Sequence, residues 1–257
     1  MRRTTAFAIA AALLPGTLAL GACSGSSGGA PKAAGTTAPA PAASSSASTS
    51  PATTAPTPTA SAQSDASLLT GAELNQYLVP ASYFPSGFAS VAAETQNSGT
   101  LFEPQSINEP GVPDCTLFDT NGLLTITGYS PVSFTQGDYQ SKSTFGEYAQ
   151  EIDEFQGDAS QTLMTSLAAA AAVCPTYPDS QTNTSAHVKQ SASTIGGDPA
   201  LVFTTTDSQW ASGLTIEAVR VGTAVVSVMV SDGNSDNGTP EATKLAGTIV
   251  ANLAAKS

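Results

Sequence analysis

Basic residues are scarce: the chain has 8 Lys and Arg against 20 Asp and Glu, and residues 68–257 hold only five of the former (Lys142, Lys189, Arg220, Lys244, Lys256). Clustered positive charge is what a polyphosphate backbone or an anionic lipid surface demands, so nucleic acid is excluded as a partner, as is electrostatic docking on a bilayer. The acidic balance is compatible with cationic ligands, though solubility alone accounts for it. Histidine is represented by His187 alone, so any hydrolase of the serine–histidine type would have to use it as base. No Cys or His cluster exists, which argues against a zinc-type site, and no cofactor is implied. Beyond the N-terminus no apolar run is long enough to span a membrane, so the remainder is expected to be soluble.

What the N-terminus does have is a basic start at Arg2 and Arg3, an apolar run over residues 6–20 broken by Pro15 and Gly16, and then Leu20, Gly21, Ala22 and Cys23. Small residues followed directly by cysteine form the pattern of a bacterial lipoprotein signal, with cleavage between Ala22 and Cys23 and lipidation of the Cys23 sulfur. An ordinary secretory signal cut elsewhere is the alternative. Thr4, Thr5 and Ala6 fit a twin-arginine signal poorly. A diacylglyceryl tether, with a third acyl chain such as palmitate on the amine, holds durably where one chain would not. The expected location is therefore the outer face of the cell membrane, with the membrane itself as one partner.

Residues 1–22 are thus read as signal peptide and residues 23–67 as lipidated cysteine plus linker. The linker is almost wholly Ala, Pro, Ser, Thr and Gly, with Lys32 and Asp65 its only charges. Such a composition cannot bury enough apolar surface to offset the entropy of ordering, and its prolines favour extended geometry. Ser and Thr beside Pro also suit O-linked sugars, a purely compositional hint. The Ala, Pro and Thr bias resembles that of high-GC Gram-positive bacteria.

Residues 68–257 are long enough for one domain with its own core. Cys115 and Cys174 are an even pair in an exported chain, so a disulfide is the default, with free or metal-binding thiols as alternatives. A Thr70/Glu73 capping box predicts a short helix bearing Leu74, Tyr77 and Leu78, ended by Pro80. Residues 81–122 read as irregular, with one strand near 88–93, and residues 123–129 read as a strand followed by 134–137. Thr144 and Glu147 suggest a second capping box, and Phe145, Tyr148, Ile152 and Phe155 recur as on an amphipathic helix. Residues 160–174 predict another helix, stopped by Pro175.

The C-terminal third is rich in Val, Ile and Thr over 186–193, 199–206, 213–221 and 224–230, with turn signals between, which predicts an antiparallel meander. A last helix begins at Thr239 and Pro240, read as N-cap and first helical residue, and shows Leu245, Ile249 and Leu253 inward. The expected fold class is α+β: an antiparallel sheet packed against a layer of helices on one face.

The order of a short Leu-rich opening helix, a Pro-rich segment with Pro113, Asp114 and Cys115, a helix pair ending in Cys174, and strands over 197–204, 214–221 and 224–229 resembles the PknH-like extracellular sensor domain family of actinobacteria. That family includes the outer part of a receptor kinase and many free lipoproteins. The resemblance implies a sheet-and-helix domain with a cleft for an unidentified ligand, and no catalytic residue carries over from it.

Four constellations invite chemistry. Gly128, Tyr129 and Ser130 begin a nucleophile elbow, but Pro131 and Val132 replace its second half. Asp232, Asn234, Asp236 and Gly238 space oxygen donors as a calcium loop does, yet Asn237 stands where such a loop needs Gly and Thr243 where it needs Glu, with Glu241 too early. Glu147, Glu151, Glu154 and Asp158 read as a solvated helix face. Trp210, in a turn, is either a partner contact or edge packing. The reading is a non-catalytic, lipid-anchored, ligand-binding or sensor-like module whose partner is an unidentified small molecule or envelope protein. A cell-envelope hydrolase and a structural spacer are the alternatives.

Overall fold

In the computed structural model, residues 68–107, 111–144 and 146–255 are described, so the segments read as signal peptide and linker, Ala22 and Cys23 among them, lie outside the described residues. The chain opens with α1 (Gly71–Leu74), whose capping box forms as predicted: Glu73 N donates to Thr70 Oγ1 at 3.4 Å and Thr70 N to Glu73 Oε2 at 2.9 Å. A 3₁₀ turn at Ala81–Tyr83 precedes β1 (Phe88–Ser90), β2 (Gln96–Asn97) and β3 (Ser106–Ile107). Two further 3₁₀ segments, Cys115–Asp119 and Leu123–Thr127, lead to β4 (Tyr129–Ser130), β5 (Ser133–Ser141) and β6 (Glu147–Glu154). Then come α2 (Ala159–Val173), β7 (Thr176–Asp179), β8 (Thr184–Ile195), β9 (Asp198–Thr206), β10 (Leu214–Val221), β11 (Ala224–Ser231) and α3 (Thr239–Ala254).

A single antiparallel sheet of nine strands dominates, in the order β1-β5-β6-β11-β10-β9-β8-β7, with β2 also on β5. The predicted meander is present as β8 to β11. The expected helix layer is not: α3 covers one face and α2 the other, while short 3₁₀ turns and loops cover the rest. The fold is accordingly mostly β. Alternation along β11 explains the split, because Val226, Val228 and Val230 enter the core under α3 and Val225 and Met229 enter the core under α2. With both faces covered, this strand is apolar apart from the buried Ser227 and the terminal Ser231.

The segment read as an amphipathic helix over 145–155 is strand β6, and its capping box does not form. Thr144 instead bonds Ser141 Oγ, with its amide at 3.1 Å and its hydroxyl at 2.9 Å, in the turn between β5 and β6. Tyr148 and Ile152 are four residues apart, a separation that puts them on one side of a strand as well as of a helix. Pairing decides between the two: β6 is laddered by β5 on one side and β11 on the other, satisfying its backbone in both directions. Residues 123–127, expected as a strand, form a 3₁₀ helix that buries Leu123, Leu124 and Ile126 in the core beneath α2.

Thr239 is likewise one residue inside α3. Its N-cap is Gly238 at φ 74°, where a Cβ would stand 2.7 Å from Val230 Cγ1, so glycine meets both the backbone and the packing requirement.

Gln150 shows how the α1 segment is fastened to the sheet. Its Oε1 accepts from Val79 N at 2.9 Å and its Nε2 donates to Val79 O at 3.0 Å, with every group buried. Replacing Gln150 by Leu strands both backbone groups without water, and the expected loss is about 2–4 kcal/mol in urea unfolding.

The Cys115–Cys174 disulfide forms, with Cα atoms 5.4 Å apart, and ties the first of the longer 3₁₀ segments to the end of α2. Directly after Cys174, the edge strand β7 pairs only with Thr184 to His187 of β8.

Candidate functional site

Where β6 begins and β11 ends, aromatic rings gather on the α3 side. Phe84 stacks on Tyr139 with centroids 3.9 Å apart and tilts against Tyr148 at 5.4 Å, and Phe88 meets Tyr148 edge-on at 4.9 Å. The 3₁₀ turn after Pro80 delivers Tyr83 and Phe84, and β1 delivers Phe88. Opposite them runs the loop after β11. Asp232 accepts from Asn234 N at 2.9 Å and from its side-chain amide at 2.7 Å, and Asp236 accepts from Gly238 N at 3.1 Å.

Between these walls lies a cleft of about 400 Å³, lined by Tyr83, Phe88, Tyr148, Asp232, Glu241 and Lys244 among others. Lys244, one turn along α3 from Glu241, holds its Nζ 5.7 Å from the Tyr83 ring centroid. Burial, followed by the charges of Asp232 and Glu241, pushes the Tyr148 hydroxyl up to about 12, so it stays a donor. The Tyr83 hydroxyl and Glu241 Oε2 are buried without a hydrogen-bond partner among the described residues. A wall of rings facing the side chains of Asp232, Glu241 and Lys244 is the chemistry of a small-molecule seat.

The acids read as a solvated helix face are redistributed by the strand. Glu154 is 2 % exposed, Asp158 is exposed before α2, and Glu147 and Glu151 are half-buried. Asp153 lies on the same side as Glu151 and is 3 % exposed. Burial pushes Asp153 up to about 8, and burial with the adjacent Asp153 charge holds Glu151 well above the usual carboxylate range. On β5, burial and the nearby Glu94 carboxyl push Asp138 up to about 8. Burial also raises Glu154 and Glu217.

The remaining constellations carry less. Gly128 closes a 3₁₀ helix in the left-handed region, Ser130 pairs with Ser106 in a separate small sheet, and no helix follows directly. His187 is exposed on β8 in register with Thr176 and Thr206. No nucleophile elbow forms. The loop acids do converge: Asp232, Asp236 and Glu241 each bring an oxygen within 4.8 Å of the other two, so Glu241, judged too early by calcium-loop spacing, joins through the first turn of α3. Trp210 is half-buried against the α2 core and donates Nε1–H to Asp179 Oδ2 at 2.8 Å. That bond, with those from Gln181 and Thr182, outweighs burial and lowers the Asp179 carboxyl.

Tyr83, Phe88, Tyr148 and Lys244 were not picked out as site residues from sequence. The available signal was the density of rings at Tyr77, Tyr83, Phe84 and Phe88 in an otherwise ring-poor chain.

This arrangement defines a large antiparallel-sheet domain with a cleft at one end of the sheet, and no helix among the described residues is long and apolar enough to cross a membrane. Its fold is similar to that in the crystal structure of the extracellular domain of PknH from Mycobacterium tuberculosis, at a TM-score of 0.51 and 14% identity, over 73% of this chain and 98% of that one. No protein family and no curated protein matches the sequence.

Proposed function

We propose that this chain is a non-catalytic, extracytoplasmic, sensor-like module, tethered by lipid on Cys23 and binding a small amphipathic ligand in the cleft between Tyr83, Tyr148 and Glu241. The ligand presents an apolar face to the rings and a hydrogen-bond donor to Glu241. The cleft carries this reading, and the fold shared with an extracellular domain supports its placement outside the cytoplasm. The buried Asp138 and Asp153 lie on the other face of the sheet and do not line the cleft.

Native mass spectrometry of the full chain, extracted from its membrane in detergent, tests the ligand. A bound small molecule is expected with the wild type and lost in Asn234→Trp, which fills an exposed wall of the cleft. A bound molecule retained by that variant, or none in the wild type, overturns the seat. For the tether, Cys23→Ala is expected to move the protein from the membrane fraction to the soluble one and to abolish labelling by a palmitate analogue. Unchanged partitioning overturns it.

A further inference from the structure

On the sheet face that carries α2, away from the cleft, three carboxylates from three chain segments meet. Asp138 stands on β5 in register with Ala149, and Glu147 stands two residues before Ala149 on β6. Glu94 comes from the loop between β1 and β2. That loop is fixed at its base: Val91 N donates to Asp138 O at 2.8 Å and Glu94 N to Val91 O at 3.0 Å. One oxygen from each of Glu94, Asp138 and Glu147 lies within 4.8 Å of those of the other two.

The central member is the informative one. Asp138 is 0 % exposed, its Oδ2 accepts from the Asn121 and Gln136 amides, and its Oδ1 is buried with no amide or hydroxyl donor, the Glu94 carboxyl being able to bond Asp138 only when one of the two carries a proton. A buried carboxylate oxygen without a donor costs folding free energy unless something positive sits against it. Three carboxylates this close repel one another when ionised. A proton on Asp138 relieves part of that repulsion, and a divalent cation relieves more of it.

We propose that Glu94, Asp138 and Glu147 form a binding site for a hard divalent cation, with calcium the best fit. The donors are all carboxylate oxygens, the preference of hard cations. Separations of up to 4.8 Å suit metal–oxygen distances of about 2.3–2.6 Å on opposite sides of the ion, wider than magnesium's tight octahedron. Glu94 and Glu147 are half-buried, which leaves an approach from solvent and room for water to complete the shell. The bound ion cross-links the β1–β2 loop to β5 and β6, so binding stabilises the fold. Asp138 faces Glu94 from the loop and Glu147 from β6, with the neutral Gln136 and Asn121 amides beside it. This site is independent of any ligand in the cleft.

The test is calcium titration of the full chain in detergent at pH 8 after EDTA treatment, followed by calorimetry and thermal melting. The expected result is a Tm gain of about 5 °C at about 5 mM calcium, with a dissociation constant of roughly 0.1–1 mM. Glu94→Gln, a change at the solvent-facing side, and Asp138→Asn, which keeps the shape of the buried group, are each expected to weaken binding at least tenfold. Asp232→Asn, in the other acidic group, is expected to leave the affinity unchanged. No heat and no Tm gain in the wild type, an unaltered gain in Glu94→Gln, or loss of the gain in Asp232→Asn alone overturns the assignment.

Discussion

Acidification from pH 8 to about 5, in the presence of a chelator, is expected to raise the Tm by about 8 °C. Asp138 and Asp153, each pushed from an ordinary 3.8 to about 8, set this direction. Between those limits the folded chain holds protons that the unfolded chain has released, so stability falls as pH rises and the loss is complete only above about 8. One pH unit of proton linkage is about 1.4 kcal/mol, and each kcal/mol moves a domain of this size by about 2–4 °C, so a modest part of the two shifts suffices. Glu151, Glu154 and Glu217 act in the same direction. Asp179 acts oppositely: its lowered carboxyl contributes stability above its unfolded value that is lost as pH falls further, which limits the gain in strong acid. Scanning calorimetry across this range decides the matter, and a Tm that is flat or rises from pH 5 to 8 would refute it. The double variant Asp138→Asn, Asp153→Asn is expected to flatten the profile and raise the Tm at pH 8.

Removing the disulfide is expected to lower the Tm by about 10 °C. Cys115 and Cys174 are 59 residues apart in sequence, and closing a loop of that length restricts the unfolded chain by roughly 4 kcal/mol. The loop encloses both β5 and β6, so reduction frees in the unfolded state the segment that must thread into the middle of the sheet. Cys174 is fully buried, and the double alanine variant adds a small packing loss to the entropic one. Reduced wild-type protein isolates the entropic part. A Tm within a degree or two of the oxidised form would show that the bridge contributes little.

The meander was legible in residues 184–231 because Val, Ile and Thr alternate between turns, and α3 because its apolar positions recur at three and four. The register of β6 was not legible. Tyr148 and Ile152 satisfy both periods, and Glu147, Glu151 and Glu154 look like a helix's wet side until pairing with β5 and β11 places Glu154 indoors. That one misassignment also hid the acidic groups, because Asp138 and Glu94 become neighbours of Glu147 only across chain segments, and Asp153 shares a side with Glu151 only when residues 147–154 are extended. The placement of α2 and α3 on opposite faces was equally out of reach, since each helix alone shows one apolar side and says nothing about which side of the sheet it will cover. The cleft depends on rings from three separate segments, so composition could register their density but not their convergence.

Beyond Val188, the strand β8 outruns its short neighbour β7, which spans only four residues and contains Pro178. Its outer amide row is a ladder open to extension by another chain. Lys189, Gln190, Ser191, Ser193 and Thr194 occupy that stretch, giving it a charge and little apolar surface to reward accretion. Crowding many copies together should for that reason leave them separate, and Lys189→Val with Ser191→Val should be the change that lets them stick.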